Sequence, residues 1–216
     1  MKFDAVLFDF DYTLGDATRA VVAGYTFALT EMGFPAPDVE TIRGTVGLML
    51  EDGYTSITGD SDPARQAEFR RLFAQIAHPM QVADTPLLPG AKELLLALHR
   101  AGVPAAVVSS KRTDTLRAIL EQHGLVEVLA RIVGSDAAPR PKPDPSGALG
   151  VLSELGVAPE RALFCGDTVI DAQTAQRAGT HFCAVLNGTT PAAAFAPYPT
   201  DHISPDLFDL RAWLEV

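Results

Sequence analysis

Cysteine is nearly missing from this chain, and the two that occur, Cys165 and Cys183, are too few and too scattered for a disulfide framework. Each lies in an apolar stretch without a basic neighbour in sequence to favour a thiolate, so both read as buried structural thiols. Positive charge is also in short supply: 17 Lys and Arg face 27 Asp and Glu, for a formal net charge of −10 and a pI near 4.8. With no basic stripe, this balance argues against nucleic acid or another polyanion as a partner. A small anion needs only a local cation. No apolar run approaches membrane-spanning length. The histidines, His78, His99, His123, His181 and His202, lack metal-ligand spacing and read as structural or surface residues.

What is present is a globular profile. The 216 residues are 47% hydrophobic and 20% charged, enough for one good core or a core with a small satellite, and disorder has no support. A single lysine precedes the first apolar run, which leaves no room for a signal peptide and predicts a soluble protein of the cytoplasm.

That first run, Ala5-Val6-Leu7-Phe8, ends in Asp9-Phe10-Asp11-Tyr12-Thr13-Leu14. It reads as a buried strand of a parallel sheet, and its acids fall where open α/β sheets place their active sites. Two carboxylates at this spacing can share a metal, or one can attack while the other moves protons. Read alone, the segment is equally well a strand ending in a polar turn. Three distant segments shift the balance. Ala105-Ala106-Val107-Val108 runs into Ser109-Ser110-Lys111, Arg140 to Pro145 holds Lys142 between prolines, and Ala162-Leu163-Phe164-Cys165 runs into Gly166-Asp167-Thr168-Val169-Ile170-Asp171.

Four such signals in this order resemble the haloacid dehalogenase superfamily, in particular the phosphatase branch that includes phosphoglycolate phosphatases. The resemblance covers nearly the whole chain, and all four motifs are intact. It implies that Asp9 attacks phosphorus to form an aspartyl-phosphate and that Asp11 protonates the leaving alcohol and then deprotonates water. It implies further that Ser109, with the backbone at Ser110, holds a phosphoryl oxygen, while Lys142 holds the nucleophile and phosphoryl group together and Thr13 braces the turn. Mg²⁺ would be held by Asp9, Asp167 and the carbonyl of Asp11, with Asp171 in support directly or through water. Asp11 argues against the dehalogenases, which expel halide without a proton. The absence of lysine from residues 15–88 argues against relatives that form a Schiff base in the cap.

Individually, some residues keep a plainer reading. Gly166-Asp167-Thr168 could be a turn with a helix cap, and Lys142 a solvated loop lysine. Lys111 competes with Lys142 but is placed at the start of the next helix. Arg43 is the best candidate in the helical region for a substrate carboxylate or phosphate, since guanidinium forks such groups; a solvated helix arginine fits it equally well. The expected substrate is a small phosphorylated metabolite, phosphoglycolate first, with pyrophosphate or sugar phosphates behind it. The rivals are a β-phosphoglucomutase-like phosphomutase and a non-catalytic phosphate-binding or signalling module.

Periodicity predicts an α/β, Rossmann-like parallel sheet over residues 1–15 and 86–216, with a helical cap inserted over 16–85. Asp16 caps a helix from about Ala17 to Met32, a second covers Val39 to Leu50, and a third runs from Asp62-Pro63 to about Ala77. Strands are expected at Asp4 to Phe8, Pro104 to Val108, Ile132-Val133, Ala162 to Cys165 and His181 to Val185, with helices between them. Pro191 to Pro205 reads as loop, and Leu207, Leu210, Trp213 and Leu214 predict a last helix docked on the core.

Overall fold

A computed structural model gives the structure of residues 2–216. The chain divides into two compact units: residues up to Gly15 together with Leu87–Val216, and Asp16–Pro86.

The first unit is built on a parallel sheet. Among the described residues its strands are β1 (Ala5–Phe8), β2 (Ala105–Val108), β3 (Arg131–Val133), β4 (Ala162–Gly166), β5 (His181–Val185) and β6 (His202–Ser204), in the order β3-β2-β1-β4-β5-β6. The near-continuous apolar sequences of β1, β2, β4 and β5 follow from burial on both faces. Val6 and Phe8 of β1 join Val107, Leu163 and Val185 in one core, whereas Leu7 joins Ala106, Phe164 and Phe182 in the other. Helices α5 (Ala91–Arg100), α6 (Thr113–Gln122) and α9 (Leu207–Leu214) supply Leu94, Leu98, Leu116, Leu120, Leu207 and Leu210 to the first core. Helices α7 (Ser146–Leu155) and α8 (Val169–Ala178) supply Val151, Leu152, Ala172 and Ala175 to the second. Burying a side chain such as Phe8 contributes roughly 2–3 kcal/mol.

Strand order reverses direction at β1, since β2 and β3 lie on one side and β4 to β6 on the other. A crevice opens at the carboxyl ends of the strands at such a switch point. Both Asp9 and Asp167 follow strands flanking it, β1 and β4.

The second unit is helical. Its helices are α1 (Thr18–Glu31), α2 (Val39–Arg43), α3 (Leu50–Thr58) and α4 (Pro63–Ala83). They close around Tyr25, Tyr54, Phe69 and Phe73, whose rings approach at centroid distances of 5.0 Å for Tyr25–Phe69, 5.4 Å for Tyr25–Phe73 and 5.1 Å for Tyr54–Phe69. Asp62 accepts from the amides of Ala64 and Arg65 and so opens α4, with Pro63 in the first turn where its missing N–H costs nothing.

Several local expectations need correcting. The single helix over Val39 to Leu50 is cut after Arg43: Gly44 caps it, and Gly47 takes φ +97°, a left-handed conformation closed to most side chains. A separate helix, α3, then begins at Leu50. Helix α4 passes Ala77 and continues through Pro79 to Ala83, because its buried face carries on to Gln81. Asp16 works one position further out than expected, accepting from the Thr18 amide at 2.9 Å while Ala17 occupies the cap. Within Pro191 to Pro205, read as loop, lie a 3₁₀ turn at Ala192–Phe195 and strand β6. Three residues suffice for β6 because the free edge of β5 supplies its pairing.

Within the first unit, Gly15 and Leu87 face each other as an isolated antiparallel bridge, and the Leu88 amide donates to the Leu14 carbonyl at 2.9 Å. Within the second, the Asp16 amide donates to the Pro86 carbonyl at 3.0 Å.

Candidate active site

Strand β1 holds its register one residue past its end, since the Asp9 amide donates to the Cys165 carbonyl at 2.9 Å. The chain then winds tightly: the Phe10 carbonyl accepts from Thr13, Leu14 and Gly15, and Tyr12 takes φ +55°, an uncommon conformation for a bulky side chain. Strained backbone of this kind is found where a turn must aim particular side chains.

Four acids and two lysines meet there. Lys142 Nζ lies 3.0 Å from Asp9 Oδ1 and 2.6 Å from Asp171 Oδ1, with all three side chains almost fully buried. Lys111 Nζ lies 3.1 Å from Asp11 Oδ2. Carboxylate oxygens of Asp9, Asp167 and Asp171 all come within 4.8 Å of one another. Asp171 has both oxygens engaged: Oδ1 takes Lys142, and Oδ2 accepts from the Thr168 amide and hydroxyl in a capping box that starts α8. Thr13 Oγ1 donates to Asp167 Oδ1 at 3.3 Å. Ser109, buried at the end of β2, donates its amide to Val133 and accepts the Lys111 amide on Oγ. Ser110 follows it, half-buried.

Two glycines are required by close approach. A Cβ on Gly166 would sit 2.3 Å from Asp171 Cγ, and one on Gly188 would sit 2.0 Å from Asp167 Oδ2. Any side chain at either position would displace a carboxylate.

Charge sets the character of this cluster. Burial raises Asp167 well above the usual carboxylate range, and Asp171 and Asp9 push it further while Lys142 opposes. Burial likewise raises Asp11, against the pull of Lys111. For Lys142 burial works downward, but Asp171 and Asp9 together outweigh it and hold the ammonium charged. With all four carboxylates ionised, two ammonium groups leave a deficit of two positive charges. An all-oxygen donor set with that deficit fits one hard divalent cation.

The structure therefore brings Asp9, Asp11, Thr13, Ser109, Lys142, Asp167 and Asp171 into one cluster from four separate segments. Arg43 lies in the helical unit, where its guanidinium pairs with Glu40 at 3.1 Å. Lys111 is a correction: it was placed at the start of a helix, yet Arg112 caps α6, which begins at Thr113, and the Lys111 side chain is 7% exposed beside Asp11. Charge balance was the available signal, since one lysine is few for four acids. Gly188 was also missed, since a glycine does not announce itself in sequence, whereas the helix cap read at Gly166-Asp167-Thr168 is present, with Thr168 capping α8. Both thiols are free and buried, and burial pushes the Cys165 thiol up, away from reactivity. His181 and His202 pair with Asp201 and Asp209 at the β5–β6 side of the sheet. No helix among the described residues is long and apolar enough to cross a membrane.

The family model for haloacid dehalogenase-like hydrolases matches residues 6–185. A phosphoglycolate phosphatase of Pseudomonas putida is 31% identical, covering 97% of this chain and 78% of its own. One from Vibrio cholerae is 28% identical, covering 94% and 92% respectively. A solved haloacid dehalogenase-like structure from Bacteroides fragilis superposes with a TM-score of 0.93 at 32% identity, covering 97% of this chain and 100% of that one. The chain belongs to the haloacid dehalogenase-like hydrolase family. Within it, the chain is an enzyme of the phosphatase type, a phosphoric monoester hydrolase.

Proposed function

We propose that this enzyme is a Mg²⁺-dependent phosphatase of small phosphorylated metabolites, working in the cytoplasm through an aspartyl-phosphate on Asp9. The observation that carries the reading is Lys142, whose one ammonium reaches both Asp9 and Asp171 inside a buried acidic cluster. A phosphate monoester resists attack because its own charge repels nucleophiles and its alkoxide leaves poorly. Asp9 meets the first difficulty by attacking phosphorus within a neutralised site, breaking the ester P–O bond and forming a carboxyl P–O bond. Asp11 meets the second by giving its proton to the departing oxygen. Water then attacks the aspartyl-phosphate, Asp11 takes the water's proton, and inorganic phosphate leaves with Asp9 restored. Two modest displacements replace one difficult one.

Lys142, the Ser109 hydroxyl and the Ser110 amide are the donors for the phosphoryl oxygens, where fixed donors contribute most. Asp171, with one oxygen on Lys142 and the other in a helix cap, is best suited to anchoring that lysine. Mg²⁺ would be held by Asp9, Asp167 and the Asp11 carbonyl, with Asp171 in support beside them, and would supply the missing charge at the transferring group. Thr13 keeps Asp167 turned toward the site. The helical unit, residues 16–86, is the part that selects substrate, as a cap. Phosphoglycolate is the first ester to test, because relatives over most of this chain's length carry that activity in their names. For Arg43 the Glu40 pair favours a surface role.

With Mg²⁺ and a panel of small phosphate esters, wild-type protein is expected to release phosphate, and Asp9→Asn to release at least about a thousandfold less. Equal release from both would remove Asp9 as nucleophile.

A further inference from the structure

Resting on the phosphatase reading above, we infer that Lys111 is the positioning residue that orients Asp11 for proton delivery to the leaving oxygen. Its loss should be felt in proportion to how badly the departing group needs that proton.

The two lysines of the cluster divide its acids between them. Lys142 serves Asp9 and Asp171, whereas Lys111 is the one within ion-pair distance of Asp11, at 3.1 Å from Oδ2. The other oxygen, Asp11 Oδ1, is buried and finds no hydrogen-bond partner among the described residues. A carboxyl group has two equivalent oxygens and rotates freely unless something distinguishes them. Lys111 does so: it secures Oδ2 and leaves Oδ1 open for the proton. An unpartnered buried oxygen is costly and calls for a functional account; transfer to a reacting atom is one.

The backbone around Lys111 is held from both sides. Its amide donates to Ser109 Oγ at 3.3 Å, and its carbonyl accepts from the Ser135 amide at 3.0 Å. Next to it, the Thr113 amide and hydroxyl donate to Asp136 at 2.7 and 2.9 Å. Gly134, just past β3, allows this packing, since a Cβ there would lie 2.4 Å from the Lys111 carbonyl oxygen and 2.3 Å from the Thr113 amide nitrogen. A surface lysine has no need of such anchoring. A long side chain sent to one carboxylate oxygen does, because preorganised geometry is what makes proton transfer efficient.

The test compares leaving groups in the Mg²⁺-loaded, full-length enzyme. The kcat/KM value covers steps only through departure of the alcohol, so it isolates the proton given by Asp11. An alkyl phosphate needs that proton, and p-nitrophenyl phosphate, whose phenolate leaves unaided, does not. Lys111→Met is expected to lower kcat/KM about 100-fold for the alkyl ester and less than about threefold for the aryl ester. Inhibition by inorganic phosphate should be unchanged. Should the methionine variant fail to fold, Lys111→Gln carries the same comparison. Equal losses on both esters, or phosphate inhibition weakened about as much as the rate, would make Lys111 a phosphoryl-binding group and overturn the inference. A wild type silent toward every ester would remove the phosphatase reading and this role together, so the two failures are distinguishable.

Discussion

The two units of this protein treat charge in opposite ways. In the helical unit, ion pairs such as Arg19–Asp84 and Arg71–Glu68 lie at the surface, with side chains from 47% to 79% exposed. Its interior is aromatic and aliphatic. The sheet unit has an apolar interior too, yet at the carboxyl ends of β1, β2 and β4 it buries acids and lysines side by side, with Lys142 4% exposed. Surface pairs contribute little because water screens them, and buried pairs cost desolvation that their attraction only partly returns. The helical unit is thus arranged for stability. The acidic cluster is a region where stability is given up, a pattern that marks candidate functional sites.

Breaking the apolar side of this comparison should have the largest effect. Phe69→Ala, in the middle of the ring cluster, is expected to destabilise the protein by about 3–5 kcal/mol, read from the urea midpoint at unchanged slope. A loss under 1 kcal/mol would mean that the cluster is not a packed core.

A smaller effect, of opposite sign, should sharpen the contrast at Asp167. Its folded pKa lies above its unfolded one, so between the two values the folded state holds the extra proton. Stability must then fall as pH rises through that window. Without divalent cation the melting temperature should be about 3 °C higher at pH 5 than at pH 7.5, and millimolar Mg²⁺ should abolish most of that difference by stabilising the carboxylate. Asp167→Asn should flatten the pH slope, raise the cation-free melting temperature at pH 7.5 and remove the response to Mg²⁺. A pH slope that Mg²⁺ leaves untouched would count against the cluster as a cation site. Arg71→Ala should have the smallest effect, with no measurable change in midpoint, since both partners of its pair stand in water.

Much of this was legible in the sequence because it is written locally. Alternating βα patterns located five of the strands, since a buried strand such as β1, β2 or β4 is an apolar run whatever its neighbours. The acids were visible because strand ends in such sheets face the crevice. What stayed hidden depends on distant partners. Strand β6 is too short to declare itself and exists through the edge of β5. Lys111 looks like a helix start until Asp11, a hundred positions earlier, is brought to its ammonium. Gly188 has no side chain to draw attention, and its importance lies in the space it leaves for Asp167. Helix α4 runs past the expected end near Ala77, through Pro79, because packing of its buried face outweighs the local cost of proline.

The bridge between Gly15 and Leu87 has a consequence for how such a protein can change over generations. Because the chain departs and returns at paired neighbouring residues, what lies between can be lengthened, shortened or exchanged wholesale while the strands keep their places. Under the proposed function, new substrates would be explored by replacing a cassette, with the acidic cluster inherited intact.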